Sequence, residues 1–97
     1  MIHRAVVYAP EAEGDLLSLY DYIAEESPNA AARMDQRFSD AAASLAEFPL
    51  RGRAGTVPGT RELIPHPSYR LVYEVEGETV WLLALIHTAR QWPPGGG

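Results

Sequence analysis

Residues 61–93 decide the fold of this chain, and they read RELIPHPSYRLVYEVEGETVWLLALIHTARQWP. Along residues 69–75, large apolar side chains on one side alternate with a mixed set on the other, the period of two that is typical of a half-buried strand. The break at 76–78 contains Gly77, and the following run, 79–87, is almost wholly apolar. The pattern predicts a β-hairpin whose second strand is covered on both faces.

The hairpin has two predicted faces, because side chains alternate along each strand. A turn at 76–77 pairs Tyr73 with Val80, whereas a turn at 77–78 pairs it with Leu82, and both registers give the same faces. One face is predicted to form the core and carries Leu71, Tyr73, Val75, Val80, Leu82 and Ala84. The other face mixes charged groups with large apolar ones: Arg70, Val72, Glu74, Trp81, Leu83, Leu85 and His87.

The composition indicates one globular domain. The chain has 97 residues, of which 46% are hydrophobic, and we expect a domain at 1–92 with a flexible tail at 93–97. It contains no cysteine, which excludes disulfides, thiolate catalysis and cysteine-based zinc sites. The three histidines match no metal motif, so we expect neither a metal nor a cofactor. No apolar run is long enough for a membrane span and no signal peptide is evident, so a cytoplasmic protein is expected.

Charge is distributed unevenly along the chain. Its formal net charge is −5, and all eight basic residues are arginines. Residues 1–50 hold three arginines against nine acidic residues, a net of −6, whereas residues 51–97 hold five against four, a net of +1. An acidic chain is a poor generic nucleic-acid binder, although a local arginine cluster can hold a phosphate or a carboxylate.

Two helices are predicted upstream of the hairpin. Pro10 stands where a first helical residue is expected, and Ser27 followed by proline indicates the capped start of a second helix. Asp15 falls outside the apolar stripe of the first helix, so we expect it on the solvated face. Spacing also argues against a metal cluster of Glu11, Glu13 and Asp15. The predicted helices are 10–26 and 28–47, and the predicted strands are 2–8, 61–66, 69–76 and 79–87.

This order of elements predicts an α+β fold of two layers, βααβββ, with a helix hairpin on one face of a four-stranded antiparallel sheet. Alternating chain direction would place the first strand antiparallel to the last strand and beside it. The side chains predicted to be buried are Leu16, Tyr20, Phe38, Leu45, Leu71, Tyr73 and Leu82.

The chain resembles the RelE/ParE superfamily of bacterial type II toxins over nearly its whole length. The most specific features are the Gly-x-Arg start of a strand, the Tyr-Arg-x-x-Tyr strand and the His-x-x-Arg end. The segments that carry the resemblance are 8–16, 27–31, 48–52, 58–63, 69–73 and 86–93.

The resemblance implies a growth-inhibiting toxin that a co-expressed antitoxin neutralises. RelE-like members cut messenger RNA on the ribosome without a metal, whereas ParE-like members poison DNA gyrase and are not nucleases. The pattern is closer to the ParE-like branch, so a gyrase-binding inhibitor is the first expectation. A ribosome-dependent endonuclease is the alternative, and an inactive toxin that only binds its antitoxin is a third.

Four residues are the candidates if the chain is a nuclease: Arg61, Arg70, His87 and Arg90. Metal-free RNA cleavage requires a base, an acid and cations, and the arginines and His87 are of the right types. The structural interpretation pairs the two strand arginines with Glu62, Glu74 or helix carboxylates, and it has equal weight. Two features argue against a nuclease, because lysine is absent and the C-terminal region offers Trp92 in place of a catalytic acid.

The mixed face of the hairpin is the expected antitoxin surface, since a small monomer rarely exposes a large apolar patch. The C-terminal tail or a second copy of the chain in a homodimer are the other possible covers. The expected antitoxin-binding residues are Arg61, Arg70, Val72, Trp81, Leu83, Leu85 and Trp92.

Overall fold

A computed structural model describes residues 4–88 and Trp92. Two helices and five strands follow one another as β1 (Ala5–Tyr8), α1 (Pro10–Ala24), α2 (Pro28–Ser44), β2 (Arg53–Ala54), β3 (Thr60–His66), β4 (Tyr69–Glu76) and β5 (Thr79–His87). The predicted tail 93–97 and Arg90 lie outside the described residues. The α+β class and the helix hairpin are confirmed, whereas the number of strands is not.

The helix starts follow local sequence chemistry. Pro10 and Pro28 each occupy the first turn of their helix, where the missing N–H costs nothing. The Oγ of Ser27 accepts a hydrogen bond from the Ala30 N–H at 3.1 Å, which confirms the predicted cap. No helix in the part of the chain that the structure describes is long and apolar enough to cross a membrane.

The sheet is mixed, with strand order β1-β5-β4-β3-β2. The prediction that β1 lies beside β5 is confirmed, but the two strands run parallel, not antiparallel. The missed strand β2 is the reason. It pairs antiparallel with β3 and adds one reversal of chain direction between the helices and the hairpin, which inverts the direction of every later strand.

The β4–β5 hairpin has the register of the 77–78 turn, with Glu76 opposite Thr79 and Tyr73 opposite Leu82. Gly77 adopts a φ of 59°, a left-handed conformation that glycine accommodates without a Cβ clash. The register then shifts, because Val72 lies opposite Ala84 and Leu83 has no partner in β4. This is a β-bulge.

The bulge corrects the predicted faces beyond residue 83. Leu85 lies opposite Leu71 and belongs to the core on the helix side of the sheet, so its predicted place on the other face was wrong. Ala84 lies opposite Val72 and therefore belongs to the face away from the helices, although it was predicted to be in the core. His87 lies opposite Tyr69, which packs on the helix-side core. We call the face of the sheet that points away from the helices the open face. Arg70, Val72, Glu74 and Trp81 lie on it, as predicted.

The core lies between the helix hairpin and the sheet. Of the side chains predicted to be buried, Phe38, Leu45, Leu71, Tyr73 and Leu82 are each at most 3% exposed. Leu16 is half-buried against this cluster, and Tyr20 is 38% exposed, so its burial was wrongly predicted. Full burial of a leucine contributes about 1.5–3 kcal/mol, so these side chains account for much of the driving force for folding.

Candidate functional site

An ion cluster of one glutamate and two arginines lies on the open face. Glu62 is the cross-strand partner of Val72, and its Oε1 accepts hydrogen bonds from Arg70 Nη1 and Arg53 Nη2, each at 3.2 Å. The side chains of Glu62 and Arg70 are 5% and 11% exposed, whereas that of Arg53 is 63% exposed. A carboxylate removed from water requires paired charge, so Glu62 holds Arg70 against the sheet.

Arg61 lies on the helix side instead. Its cross-strand partner is Tyr73, a member of the helix-side core. Its Nη1 donates to the carbonyl oxygens of Gly52 at 2.8 Å and Leu50 at 3.3 Å. The two strand arginines that sequence reasoning treated together therefore face opposite ways, and only Arg70 shows the predicted pairing with Glu62.

The hydroxyl of Tyr73 fixes the loop before β2. It accepts a hydrogen bond from the Gly52 N–H at 2.9 Å and donates one to the Pro49 carbonyl at 2.8 Å. A Cβ at Gly52 would lie 2.6 Å from the same hydroxyl and 2.8 Å from the Glu62 carbonyl, so only glycine fits there. Burial raises the pKa of the Tyr73 hydroxyl, and the fully buried side chain confirms the prediction that Tyr73 is a core aromatic.

His87 belongs to an aromatic cluster at the end of the hairpin. Its ring lies 5.7 Å from that of Tyr69 in an edge-on arrangement, and Tyr69 also meets Phe38 at 6.0 Å and His66 at 5.7 Å. The Nδ1 of His66 accepts the Ser68 N–H at 3.0 Å. The cluster gives His87 a packing role at the end of β5.

The three nuclease candidates that the structure describes do not converge. Arg70 is on the open face, whereas Arg61 and His87 are on the helix side opposite Tyr73 and Tyr69. Four residues of strand separate those two partners, about 13 Å at ~3.3 Å per residue. Acid–base cleavage of RNA needs its groups within hydrogen-bond reach of one phosphate, which this arrangement does not provide.

Two carboxylates on α1 contact the C-terminal part of the chain, one in β5 and one beyond it. Asp15 Oδ2 accepts the Leu85 N–H at 3.0 Å, so the expectation that Asp15 is solvated was wrong. Its pKa is raised mainly by burial, a change that the Leu85 hydrogen bond opposes and the charge of Glu11 reinforces. The Oε2 of Glu11 accepts the Trp92 indole N–H at 3.3 Å. No group of acidic or histidine side chains in the described residues has the geometry of a metal site.

The open face exposes less apolar surface than predicted. Val72 and Ala84 are fully buried, and Trp81 and Leu83 are half-buried. The large apolar side chains that are exposed in the described residues lie elsewhere: Leu17, Tyr20, Tyr22, Phe48, Leu50 and Ile64. The sequence analysis did not predict that Phe48, Leu50 and Ile64 are exposed.

The fold is a two-layer α+β arrangement in which two helices pack on one face of a mixed five-stranded sheet. The sequence matches the profile of the ParE toxin of type II toxin–antitoxin systems, parDE, over residues 6–92. The chain therefore belongs to the ParE toxin family within the RelE/ParE superfamily, as the resemblance indicated.

Individual relatives agree with this assignment. The chain is 44% identical over 85 residues to "Toxin RelE2" of Caulobacter vibrioides, covering 88% of this chain and 96% of the relative. It is 38% identical over 73 residues to "Putative toxin Y4kP" of Sinorhizobium fredii, covering 74% and 75%.

Solved structures share the fold. The chromosomal ParDE toxin–antitoxin system from P. aeruginosa matches with a TM-score of 0.76 at 22% identity, covering 88% of this chain and 96% of that one. The toxin–antitoxin complex RelBE2 from Mycobacterium tuberculosis matches with a TM-score of 0.61 at 26% identity, covering 92% and 95%. Both neighbours are described as toxin–antitoxin systems.

Proposed function

We propose that this type II toxin arrests growth by binding DNA gyrase and that its cognate antitoxin holds it inactive. Membership of the ParE family supports the gyrase target. The observation that carries the proposal is the placement of the arginines. Arg70 is engaged by the buried Glu62 on one face, and Arg61 is engaged by loop carbonyls on the other.

This placement argues against a metal-free nuclease on chemical grounds. Such a reaction needs cations aimed together at the charge that develops on the phosphate, and their value depends on preorganisation at one point. Here an internal carboxylate already compensates Arg70. The chain also has no lysine and a net charge of −5, so it has little electrostatic affinity for an RNA backbone.

A ribosome-dependent endonuclease is the second candidate. It is favoured by two relatives that are named for RelE, since RelE2 of Caulobacter vibrioides is 44% identical and RelBE2 of Mycobacterium tuberculosis is a structural neighbour. The two candidates differ in whether the toxin performs chemistry, so a direct assay separates them.

The test gives purified toxin to two reconstituted systems in parallel, gyrase with relaxed plasmid and ribosomes translating a defined messenger RNA. We expect loss of supercoiling or trapped cleaved DNA in the first system and intact RNA in the second. Codon-position cuts that disappear with Arg61→Ala or His87→Ala would establish the nuclease instead. No effect in either system, with antitoxin binding retained, would identify an inactive toxin.

For the antitoxin, we propose contacts with Trp81 and Leu83 on the open face. Both side chains are half-buried and neither belongs to the helix-side core. Of the other residues expected there, Val72 is fully buried, Leu85 lies in the core, and Trp92 is hydrogen-bonded to Glu11. Trp81 and Leu83 therefore offer the remaining apolar area on that face.

A further inference from the structure

Three exposed large apolar side chains lie on β3 and in the loop that follows α2. Phe48 is 57% exposed, Leu50 is 65% exposed and Ile64 is 44% exposed. Phe48 and Leu50 belong to the loop after α2, and Ile64 is on β3. Isolated exposed apolar residues need no explanation, but three in neighbouring segments mark a candidate contact surface.

Two open clefts flank this loop. The first, of about 330 Å³, lies between α2 and β3 and is lined by Arg37, Asp40, Ala41, Arg51, Leu63, Ile64 and Pro65. The second, of about 310 Å³, is lined by Leu50, Ala54, Gly59, Thr60, Arg61 and Val75. Three arginines therefore frame the exposed apolar groups, against one aspartate. We call Phe48, Leu50, Ile64, Arg37, Arg51 and Arg61 the arginine band.

The arginines of the band are held by neutral oxygen atoms. Arg37 Nε donates to the Pro65 carbonyl, and Arg51 Nη1 donates to Ser44 Oγ at 2.7 Å. Arg61 Nη1 is held by the two loop carbonyls described above. These bonds orient the guanidinium groups, since each is tethered at one nitrogen, but they supply no negative charge. Each guanidinium carries five N–H donors, so donors remain for a ligand.

We propose that the arginine band binds an acidic, apolar segment of the cognate antitoxin. This inference rests on the proposed function in assuming that the antitoxin exists. Guanidinium groups match carboxylates in charge and geometry, and the leucine, isoleucine and phenylalanine match apolar side chains between those carboxylates. The local excess of arginine attracts an acidic segment to the band, whereas the acidic remainder of the chain repels it.

A protein segment fits the band better than a nucleic acid does. A nucleic-acid site combines basic groups with aromatic platforms on which bases stack, whereas Leu50 and Ile64 are aliphatic. The first cleft lies between α2 and β3 and Arg61 lies opposite the core residue Tyr73, whereas Trp81 lies opposite Glu74 on the open face. An antitoxin that contacts both surfaces must wrap around the toxin.

The experiment measures the affinity of purified toxin for the purified antitoxin encoded beside it, by calorimetry at low and high salt. The band variants are Leu50→Asp and Arg51→Glu. The matched controls are Leu17→Asp and Arg33→Glu, because Leu17 is 62% exposed on α1 and Arg33 is exposed on α2 outside the band. Each control makes the same chemical change elsewhere on the surface, and thermal unfolding verifies that all four variants fold.

We expect both band variants to weaken binding at least ~10-fold and both controls to change it by less than about twofold. The loss with Arg51→Glu should shrink at high salt, because exposed charges are screened. Band variants that bind like wild type, or controls that lose as much, would overturn the inference. A loss of antitoxin affinity that occurs only with Leu83→Asp, and not with the band variants, would also overturn it. If wild-type toxin binds no antitoxin, the proposed partner itself is wrong.

Discussion

The open face and the arginine band contain the same kinds of side chain and differ in what the arginines contact. On the open face, Arg70 is 11% exposed and meets the buried carboxylate of Glu62. In the band, Arg51 and Arg61 meet a hydroxyl and backbone carbonyls. An arginine opposite a buried acid completes the fold, whereas one held by neutral oxygens keeps its charge for a partner.

The strongest test of this contrast is stability. Glu62→Gln leaves Arg70 without its carboxylate in a site with little access to water, and breaking a buried pair from one side costs about 3–5 kcal/mol. Arg51→Gln, in the exposed band, should change the free energy of unfolding by no more than about 0.5 kcal/mol. Denaturant unfolding of both variants measures the difference. Similar small losses for the two would show that Arg70 is not structurally anchored.

A smaller effect is expected at the bulge, which decides which residues reach which face. Asp15→Ala removes the acceptor of the Leu85 N–H and should cost about 1 kcal/mol, whereas Asp15→Asn keeps an acceptor and should cost less. Chemical denaturation at neutral pH compares them. An equal loss for both would mean that this hydrogen bond does not hold the bulge.

The pH dependence of stability gives a second measure at Asp15. Burial raises the pKa of Asp15 in the folded state above the ordinary value of an aspartate, so between these two pKa values the folded chain binds more protons than the unfolded chain. Its contribution to stability therefore grows as the pH falls through that window. Asp15→Asn should remove this gain, which unfolding curves over the acidic range will show.

Much of the fold could be predicted from local sequence. The period of two along 69–75, the glycine at 77 and the Ser27-Pro28 cap each reflect the geometry of a few adjacent residues, and all three were confirmed. The two-residue strand β2 has no periodicity to detect, and missing it inverted the predicted direction of β1 relative to β5. The bulge at Leu83 likewise has no signal in a uniformly apolar strand.

The site was less predictable because it depends on long-range contacts. The pairing of Arg70 with Glu62 was foreseen as one alternative, since both residue types stand on adjacent strands. The contact of Asp15 with the sheet was missed because its hydrogen-bond donor is the Leu85 N–H, seventy residues away in the sequence. The band was missed although the net positive charge of residues 51–97 was visible, because only the fold brings the loop beside Ile64 and α2.

We infer that Arg70 completes the fold and does not act on a target. The direct measurement is growth arrest on induced expression of the Glu62→Gln/Arg70→Gln double variant, which removes both charges of the pair together and so avoids an unpaired buried charge. We predict that the double variant folds and arrests growth like wild type. A folded double variant that still binds antitoxin but no longer arrests growth would contradict the claim and place Arg70 at the target.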